Sequence, residues 1–470
     1  MTVPHPVPLA NGSPSRFTRI LQSAGFTFDA VKARLGTEYR QWPPKGAGVA
    51  GEFLARLQAA RMRADIGSRM LSPASSDVLG RVSSYFRNRG PKDQLDFLIW
   101  LFLFNEPVKT TALTHIFSPN DLNELAAMNL IRLNSGAAIC DLAFFECAGL
   151  FLATDARVKP PTNVNRVMAL LPETFDFVGS VSRKPVNSVL DLCTGSGVHA
   201  LVAARHAKHV VATDVNPRAL RFAEFNAWFN GVTNIEFRQG DLFRAVEDRD
   251  FDLILANPPY MPDTGSSPND NFYCGGKSGD VLWSQILQGL EKHLPPNGLC
   301  QIIHMIILFG NESYEDRIRA LLGPLADSCN VLICSNPIAF RNEDTAAATS
   351  VHFGVTTIKR YAKPGAVLYV HAPFHPPLPF DVSDLLLALE QTSSPNERTL
   401  VCERHFARSR RESILLGTGT LIGTVSFTAF CALVLRKALR VFRGMPKRLA
   451  ECFLRARPRN RSPSPLGDDL

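Results

Sequence analysis

The chain has 470 residues, of which 45% are hydrophobic and 20% charged. That balance excludes a disordered or collagen-like polymer, and the length suits about two or three domains. Net charge is +8, but much of the excess lies beyond residue 400, so it argues only weakly for a nucleic-acid surface elsewhere. The ten cysteines, scattered from Cys140 to Cys452, form no C-x-x-C pair. This argues against the common zinc and dithiol motifs and suits a reducing cytoplasm.

Residues 1–15 are polar and proline-rich, a loose terminus without the apolar centre of a signal peptide. Helical spacing follows from Phe17 to Leu35 and from Glu52 to Ile66. The apolar run Leu98–Phe104 is too short to span a bilayer and reads as a buried helix. Lys109–Phe117 reads as a short helix. Ser118 then caps a helix over Asn120–Leu130, with Pro119 at its first position. Alternating segments at Ala137–Leu142 and Phe144–Ala153 predict a hairpin. The expectation is therefore a mainly helical N-terminal domain, residues 1–158, in winged-helix-like order. It serves either as a substrate-recognition module or as a helical cap. Asp121 and Glu124, with no arginine cluster beside them, favour the cap.

Lys159–Lys184 links this domain to the next, residues 159–362. There the apolar pair Val189-Leu190 predicts a strand that runs into Asp191-Leu192-Cys193-Thr194-Gly195-Ser196-Gly197. Gly195 and Gly197 allow a sharp turn and close approach to a ligand. The third glycine of a dinucleotide loop is missing, which argues against a pyrophosphate. Val210–Thr213 predicts the second strand, ending in Asp214, an acid placed for a ribose diol. Asn216 caps the next helix and Pro217 opens it. Ile235–Phe237 is the third strand, and Asp241 beyond it is placed to accept from an adenine amino group.

The fourth strand, Leu253–Ala256, runs into Asn257-Pro258-Pro259-Tyr260. Two prolines end the strand and fix a turn. The Asn257 amide and the Pro258 carbonyl then point the same way beside an aromatic ring. Two acceptors and an aromatic face describe a pocket for a planar group bearing NH₂. In an open parallel sheet ligands bind beyond the carboxyl ends of the strands, so the two loops should meet at one site. Residues 261–277 form a long polar loop, expected to be a lid. A helix over Asp280–His293, a strand over Leu299–Leu308, a helix over Tyr314–Leu322 and strands at Val331–Cys334 and His352–Ile358 complete about seven strands, the last antiparallel. His304 and His352 sit in apolar runs and read as core residues.

Residues 363–411 form an extension with a proline-rich run, His371–Pro379, an amphipathic helix, Val382–Leu389, and a basic stretch, Arg404–Arg411. Residues 412–470 are expected to hold a membrane anchor and basic tail. Ile414–Leu435 is 22 residues without a charge, long enough to cross a bilayer, and Gly419 and Gly423 permit close helix pairing. A buried helix or a pair of strands is the alternative. Basic residues flank both sides, so orientation stays open.

The run from Asp191 to Tyr260 resembles the class I S-adenosylmethionine-dependent methyltransferases, and within them the amino-methylating branch. That branch holds the release-factor glutamine, ribosomal RNA guanine and adenine amino-methyltransferases. The resemblance covers about Pro185 to Lys359. It implies a Rossmann-like seven-stranded α/β sheet and S-adenosyl-L-methionine as cofactor, with no metal. Asp191, Thr194, Gly195 and Gly197 would then form the methionine-side loop. Asp214 and Val215 would sit at the ribose, Asp241 and Leu242 at the adenine. Asn257, Pro258, Pro259 and Tyr260 would receive the acceptor, with Asn257 also bordering the cofactor. The family often has glycine where Cys193 stands. The implied reaction is methyl transfer to a conjugated amino or amide nitrogen of a nucleic-acid base or a protein glutamine. RNA or protein is favoured over a small metabolite. A non-catalytic cofactor-fold scaffold at a membrane is the reading of a different class. The expected setting is a cytoplasmic catalytic domain held at a membrane through 414–435.

Overall fold

The computed structural model describes residues 5–9, 14–35, 91–156, 165–262, 274–276, 279–310, 313–337, 348–361, 369–372 and 381–392, with a few isolated positions besides. The expected helix at Glu52–Ile66, most of the lid, the run Ile414–Leu435 and the terminal tail lie outside the described residues. Among the described residues no helix is long and apolar enough to cross a membrane.

The N-terminal part holds α1 (Ser15–Ser23), α2 (Phe28–Leu35), α3 (Gln94–Phe102), β1 (Val108–Lys109), α4 (Thr110–Leu113), α5 (Pro119–Ala127), β2 (Arg132–Asn134), β3 (Ala137–Ile139), β4 (Leu142–Cys147) and β5 (Leu150–Asp155). Among its described residues helix outweighs strand, and the strands are short. Two small sheets form, one in the order β1-β3-β2 and one from β4 and β5. The hairpin expected over 137–153 is thereby divided between them. The reason is local. Ser135-Gly136 and Ala148-Gly149 both have paired positive φ values, the geometry of tight two-residue hairpin turns. Between the two hairpins, the Asn105 amide donates to the carbonyls of Cys140 and Leu142, at 3.0 and 2.7 Å, and holds the chain in a break. Helix α5 starts where the sequence placed it, in a reciprocal cap between Ser118 and Asp121.

The second part holds α6 (Pro172–Val178), β6 (Val186–Leu192), α7 (Val198–Ala203), β7 (Ala207–Asp214), α8 (Pro217–Phe229), β8 (Ile235–Gln239), β9 (Leu253–Ala256), α9 (Val281–His293), β10 (Leu299–Phe309), α10 (Tyr314–Leu322), β11 (Cys329–Pro337), β12 (Ala348–Arg360), β13 (Tyr369–Ala372) and α11 (Val382–Glu390). One eight-stranded sheet runs in the order β13-β11-β12-β10-β9-β6-β7-β8. Its pairs are parallel except that β12 is antiparallel to β10 and β11. This is the expected Rossmann-like sheet, with one strand added at the edge by residues beyond 362. The central strands are near-continuous apolar runs because helices cover both faces.

Two packing features matter for the site. The buried side of α11, Val382, Leu385, Leu386 and Leu389, joins the same core as Val189, Leu253 and Ile303. Another core runs without a break from Phe26, Phe102, Phe144 and Phe151 to Phe222, Phe225 and Phe229 of α8. The hairpin β4–β5 is thus packed on the helix that follows Asp214.

Candidate active site

The two loops meet because of register. Leu192 of β6 pairs with Ala256 of β9. Cys193 and Asn257 therefore leave adjacent parallel strands at the same level, at their carboxyl ends.

The first loop turns on three left-handed residues, Cys193 (φ 56), Gly195 (φ 55) and Gly197 (φ 81). Glycine adopts that region freely and Cys193 does not, which gives a physical reason for the family's glycine there. A Cβ on Gly197 would lie 2.8 Å from Cβ of Ala223, so the loop is pressed on α8. Backbone bonds fix the rest. Thr194 N–H donates to the Thr213 carbonyl at 2.9 Å, and Gly197 N–H to the Thr194 carbonyl at 2.8 Å. Gly195 N–H donates to Oδ2 of Asp214 at 2.9 Å.

Asp191 is fully buried at the foot of this loop. Its Oδ2 accepts from the Thr194 hydroxyl at 2.5 Å and from Ala200 N–H at 3.0 Å. Thr194 therefore orients Asp191, and its own hydroxyl is spent. Among the described residues, Oδ1 of Asp191 is buried without a partner. Burial pushes its pKa up to about 7, the two donors pull against this, and the Asp214 charge adds to it. A buried carboxylate oxygen with unused lone pairs suits a cationic N–H donor. The ammonium end of S-adenosylmethionine has that chemistry, so the residues fit the cofactor.

Asp214 ends β7. Its Oδ1 accepts from Asn216 N–H at 2.9 Å, as Oδ2 does from Gly195. Each oxygen keeps lone-pair capacity for a further donor. Burial raises its pKa, against the N–H groups of Asn216, Gly195 and Val215. Val215 beside it is 56% exposed, an apolar surface at the rim. Gly240 N–H donates to the Asp214 carbonyl at 3.1 Å and brings Asp241 and Leu242 alongside. Asp241 is exposed, 3.5 Å from Arg244, and Leu242 is half-buried at φ 47. The Cys193 thiol sits in the field of Asp214, Asp191 and Asp241. Burial first, and then those charges, push its pKa well up.

In the second loop Pro258 is buried, while Asn257, Pro259 and Tyr260 are half-buried. Among the described residues no hydrogen bond engages the Asn257 amide. The Tyr260 ring stands 5.6 Å from that of Phe353, tilted by 57°. Met261, Met305, Ile307 and Val351 complete an apolar patch where β10 and β12 run on past β9. The end of the expected lid is stitched to this loop. Gly275 N–H donates to the Met261 carbonyl at 2.8 Å. A Cβ on Gly275 would fall 2.7 Å from the Pro259 carbonyl oxygen, and one on Gly279 2.5 Å from that of Tyr260. Two glycines thus lie flush on the turn. Asp280 next to them pairs with Arg317, whose Nη1 donates to the Ile307 carbonyl at 2.6 Å.

Behind the acceptor loop His304 is buried and bonded to the Thr356 hydroxyl at 2.8 Å. Burial, more than the nearby Arg317, pulls its pKa down to about 3. It is the core residue the sequence implied. On the cofactor side, Asp155 at the end of β5 accepts both Nη1 and Nη2 of Arg218 at 2.5 Å, and Val167 N–H at 2.7 Å. Both charged side chains are buried. The Asn216 amide donates to the Asn165 carbonyl at 3.2 Å. The segment before α6 is thereby fastened beside Asp214 and Val215.

The family model of the methyltransferase small domain matches residues 173–305. A Methanocaldococcus jannaschii protein provisionally named a protein N5-glutamine methyltransferase is 36% identical over 138 residues, 28% of this chain and 68% of its own length. The ribosomal protein uL3 glutamine methyltransferase of Bradyrhizobium diazoefficiens is 37% identical over 173 residues, 33% of this chain and 53% of its own. The release factor glutamine methyltransferase of Cereibacter sphaeroides is 38% identical over 146 residues, 27% of this chain and 50% of its own. The chain thus spans about two thirds of the first relative and about half of the other two.

Proposed function

We infer the reaction from one premise: the chain belongs to the class I S-adenosylmethionine-dependent methyltransferases of the small-domain type. We propose that it methylates the side-chain amide nitrogen of a glutamine in a protein. The observation that carries this reading is the Asn257 amide, which no hydrogen bond engages among the described residues, level with the cofactor loop and next to the Pro258 carbonyl. The names of the relatives support a glutamine acceptor.

The roles follow from the donors and acceptors at hand. Asp191 Oδ1 takes the ammonium of the cofactor, and Asp214 takes the ribose hydroxyls. Val215 and Leu242 flank the adenine, whose amino group Asp241 accepts. The bound cofactor supplies an electrophilic methyl group on a sulfonium. Asn257 Oδ1 and the Pro258 carbonyl oxygen each accept one N–H of the acceptor amide, and Pro259 and Tyr260 shape the wall beside it. These bonds aim the nitrogen lone pair. As nitrogen gains the methyl group the carbon–sulfur bond breaks and sulfur leaves as a neutral thioether; nitrogen becomes cationic, its N–H groups become better donors, and both contacts strengthen. That difference lowers the barrier more than it tightens ground-state binding. One proton then leaves nitrogen for water.

We further propose that residues 1–158, with α3-β1-α4-α5-β2-β3 in winged-helix-like order, act as a cap on residues 159–362, a reading supported by the core shared between the β4–β5 hairpin and α8. The extension 363–411 completes the sheet, and 412–470 hold the protein at a membrane through Ile414–Leu435. Carbonate extraction that removes the full chain as readily as one ending at Arg404 would sink the anchor. The reaction is tested by incubating the protein with methyl-labelled cofactor and separated protein, RNA and small-molecule fractions. Label is expected in protein. Label confined to RNA or to small molecules overturns the reading.

A further inference from the structure

We infer that Asn226 is a positioning residue for the cofactor, one that makes the docked N-terminal hairpin part of the binding site; this rests on the cofactor reading above. Asn226 lies in the last turn of α8 and is fully buried. An asparagine there is costly unless its amide is satisfied, and this one is used on both sides. Its Oδ1 accepts from Ala153 N–H at 2.7 Å, and its Nδ2 donates to the Ala153 carbonyl at 3.0 Å. The same Nδ2 also donates to the Ser196 carbonyl at 2.8 Å.

Ser196 stands between the two left-handed glycines of the cofactor loop. Its carbonyl and the Gly197 N–H belong to one rigid peptide plane. Holding the carbonyl therefore aims that N–H, which donates to Thr194, the residue whose hydroxyl orients Asp191. A single amide thus ties β5, α8 and the loop around Asp191.

A matched control lies one turn away. Asn230 makes the same pair of bonds to the hairpin, accepting from Phe151 N–H at 2.9 Å and donating to the Phe151 carbonyl at 2.7 Å. Its other contact is the Asn226 backbone carbonyl, at 2.8 Å, and not the cofactor loop. The hairpin edge is paired by two asparagines at i and i+4, and one of them also grips the loop.

The test uses the full chain and S-adenosylhomocysteine, with affinity by calorimetry below the lowest melting temperature. Asn226→Ala and Asn230→Ala should lower the melting temperature by similar amounts. Affinity should fall at least about tenfold in Asn226→Ala and stay within about twofold in Asn230→Ala, as expected when the Ser196 carbonyl of the cofactor loop loses its donor in the first case only. Asn226→Asp keeps an acceptor for Ala153 N–H but loses the donor. It should resemble Asn226→Ala in affinity and serves where the alanine variant fails to fold. Equal losses in Asn226→Ala and Asn230→Ala, or unchanged affinity in both Asn226 variants, would overturn the inference. A wild-type chain that does not bind S-adenosylhomocysteine sinks the cofactor reading itself, and this inference with it.

Discussion

The two loops at the carboxyl ends of β6 and β9 are built on opposite plans. In the cofactor loop Thr194, Gly195, Ser196 and Gly197 each have a backbone group tied to Thr213, Asp214, Asn226 or Thr194. In the acceptor loop two prolines donate nothing, and the turn lies close against Gly275 and Gly279, with one backbone bond from Gly275 N–H to the Met261 carbonyl. The first loop spends its polar groups on its own shape, and among the described residues Oδ1 of Asp191 at its foot is buried without a partner, as the proposed ammonium contact requires. The second is backed closely by glycines, and among the described residues the Asn257 amide and the Pro258 carbonyl have no hydrogen bond, as the proposed acceptor role requires. The contrast suits the chemistry. A cofactor bound before and after reaction is served by a fixed cradle. A nitrogen that gains charge only in the transition state is served by unspent acceptors.

The cofactor side should break hardest where a buried charge loses its partner. Arg218→Ala leaves Asp155 buried and uncompensated, so unfolding free energy should drop by about 3–5 kcal/mol. Urea titration checks this, and a drop below about 1 kcal/mol would remove the pair as the anchor of the hairpin. On the acceptor side the loss should be kinetic. Asn257→Ala should keep cofactor affinity within about twofold while slowing methyl transfer by about 10²–10³-fold, the scale for one preorganised polar group. Asn257→Asp should be milder, since a carboxylate still accepts. If affinity and melting temperature fall together instead, Asn257 merely holds the turn. Asp214→Ala should show the converse pattern, with cofactor binding weakened by about 1.5–3 kcal/mol. Calorimetric equality with wild type would cancel the ribose role.

The mildest expected effect is a pH dependence. Asp191 titrates at about 7 in the unliganded protein, and only its ionised form attracts the ligand ammonium. S-adenosylhomocysteine affinity should therefore rise with pH and level off above about 7, being about tenfold weaker one unit below. Binding near pH 6 should release close to one proton, measurable in buffers of different ionisation heat. The sign for stability runs the other way. A carboxyl raised in the folded state favours folding below its ordinary pKa and loses that advantage as pH rises through 7. The melting shift caused by ligand should thus grow over the same range, and Asp191→Asn should flatten both trends. A flat wild-type profile would contradict the pairing.

Much of this was legible in the sequence because the evidence there is local. Strands buried on both faces read as apolar runs. Asp214 and Asn257-Pro258-Pro259-Tyr260 follow such runs directly. What stayed hidden depends on contacts across the chain. Asn226 bonds Ala153 across 73 positions, and Arg218 pairs with Asp155 across 63. No periodicity marks either as more than a helix residue. The strand Tyr369–Ala372 sits in proline-rich surroundings that hide its pairing with β11. Gly275 and Gly279 carry no sequence sign of their close approach to the carbonyls of Pro259 and Tyr260. Cys193 showed no local sign of its left-handed backbone, although the family's glycine at that place has the physical meaning now visible. The strand segments at 137–153 are legible from their alternation, but not their division between two sheets, because Asn105, far from the segment, bonds the carbonyls of Cys140 and Leu142 at the break.

The account is tested most directly by locating the transferred methyl group at atomic level. Wild-type protein is incubated with cofactor bearing a deuterated methyl group and with a cellular protein fraction, and the labelled peptides are sequenced by tandem mass spectrometry. The account predicts the label on the side-chain nitrogen of glutamine, and its loss with Asn257→Ala although that variant still binds S-adenosylhomocysteine. Label on a lysine, a carboxylate or a thiol, or undiminished label with Asn257→Ala, would contradict it.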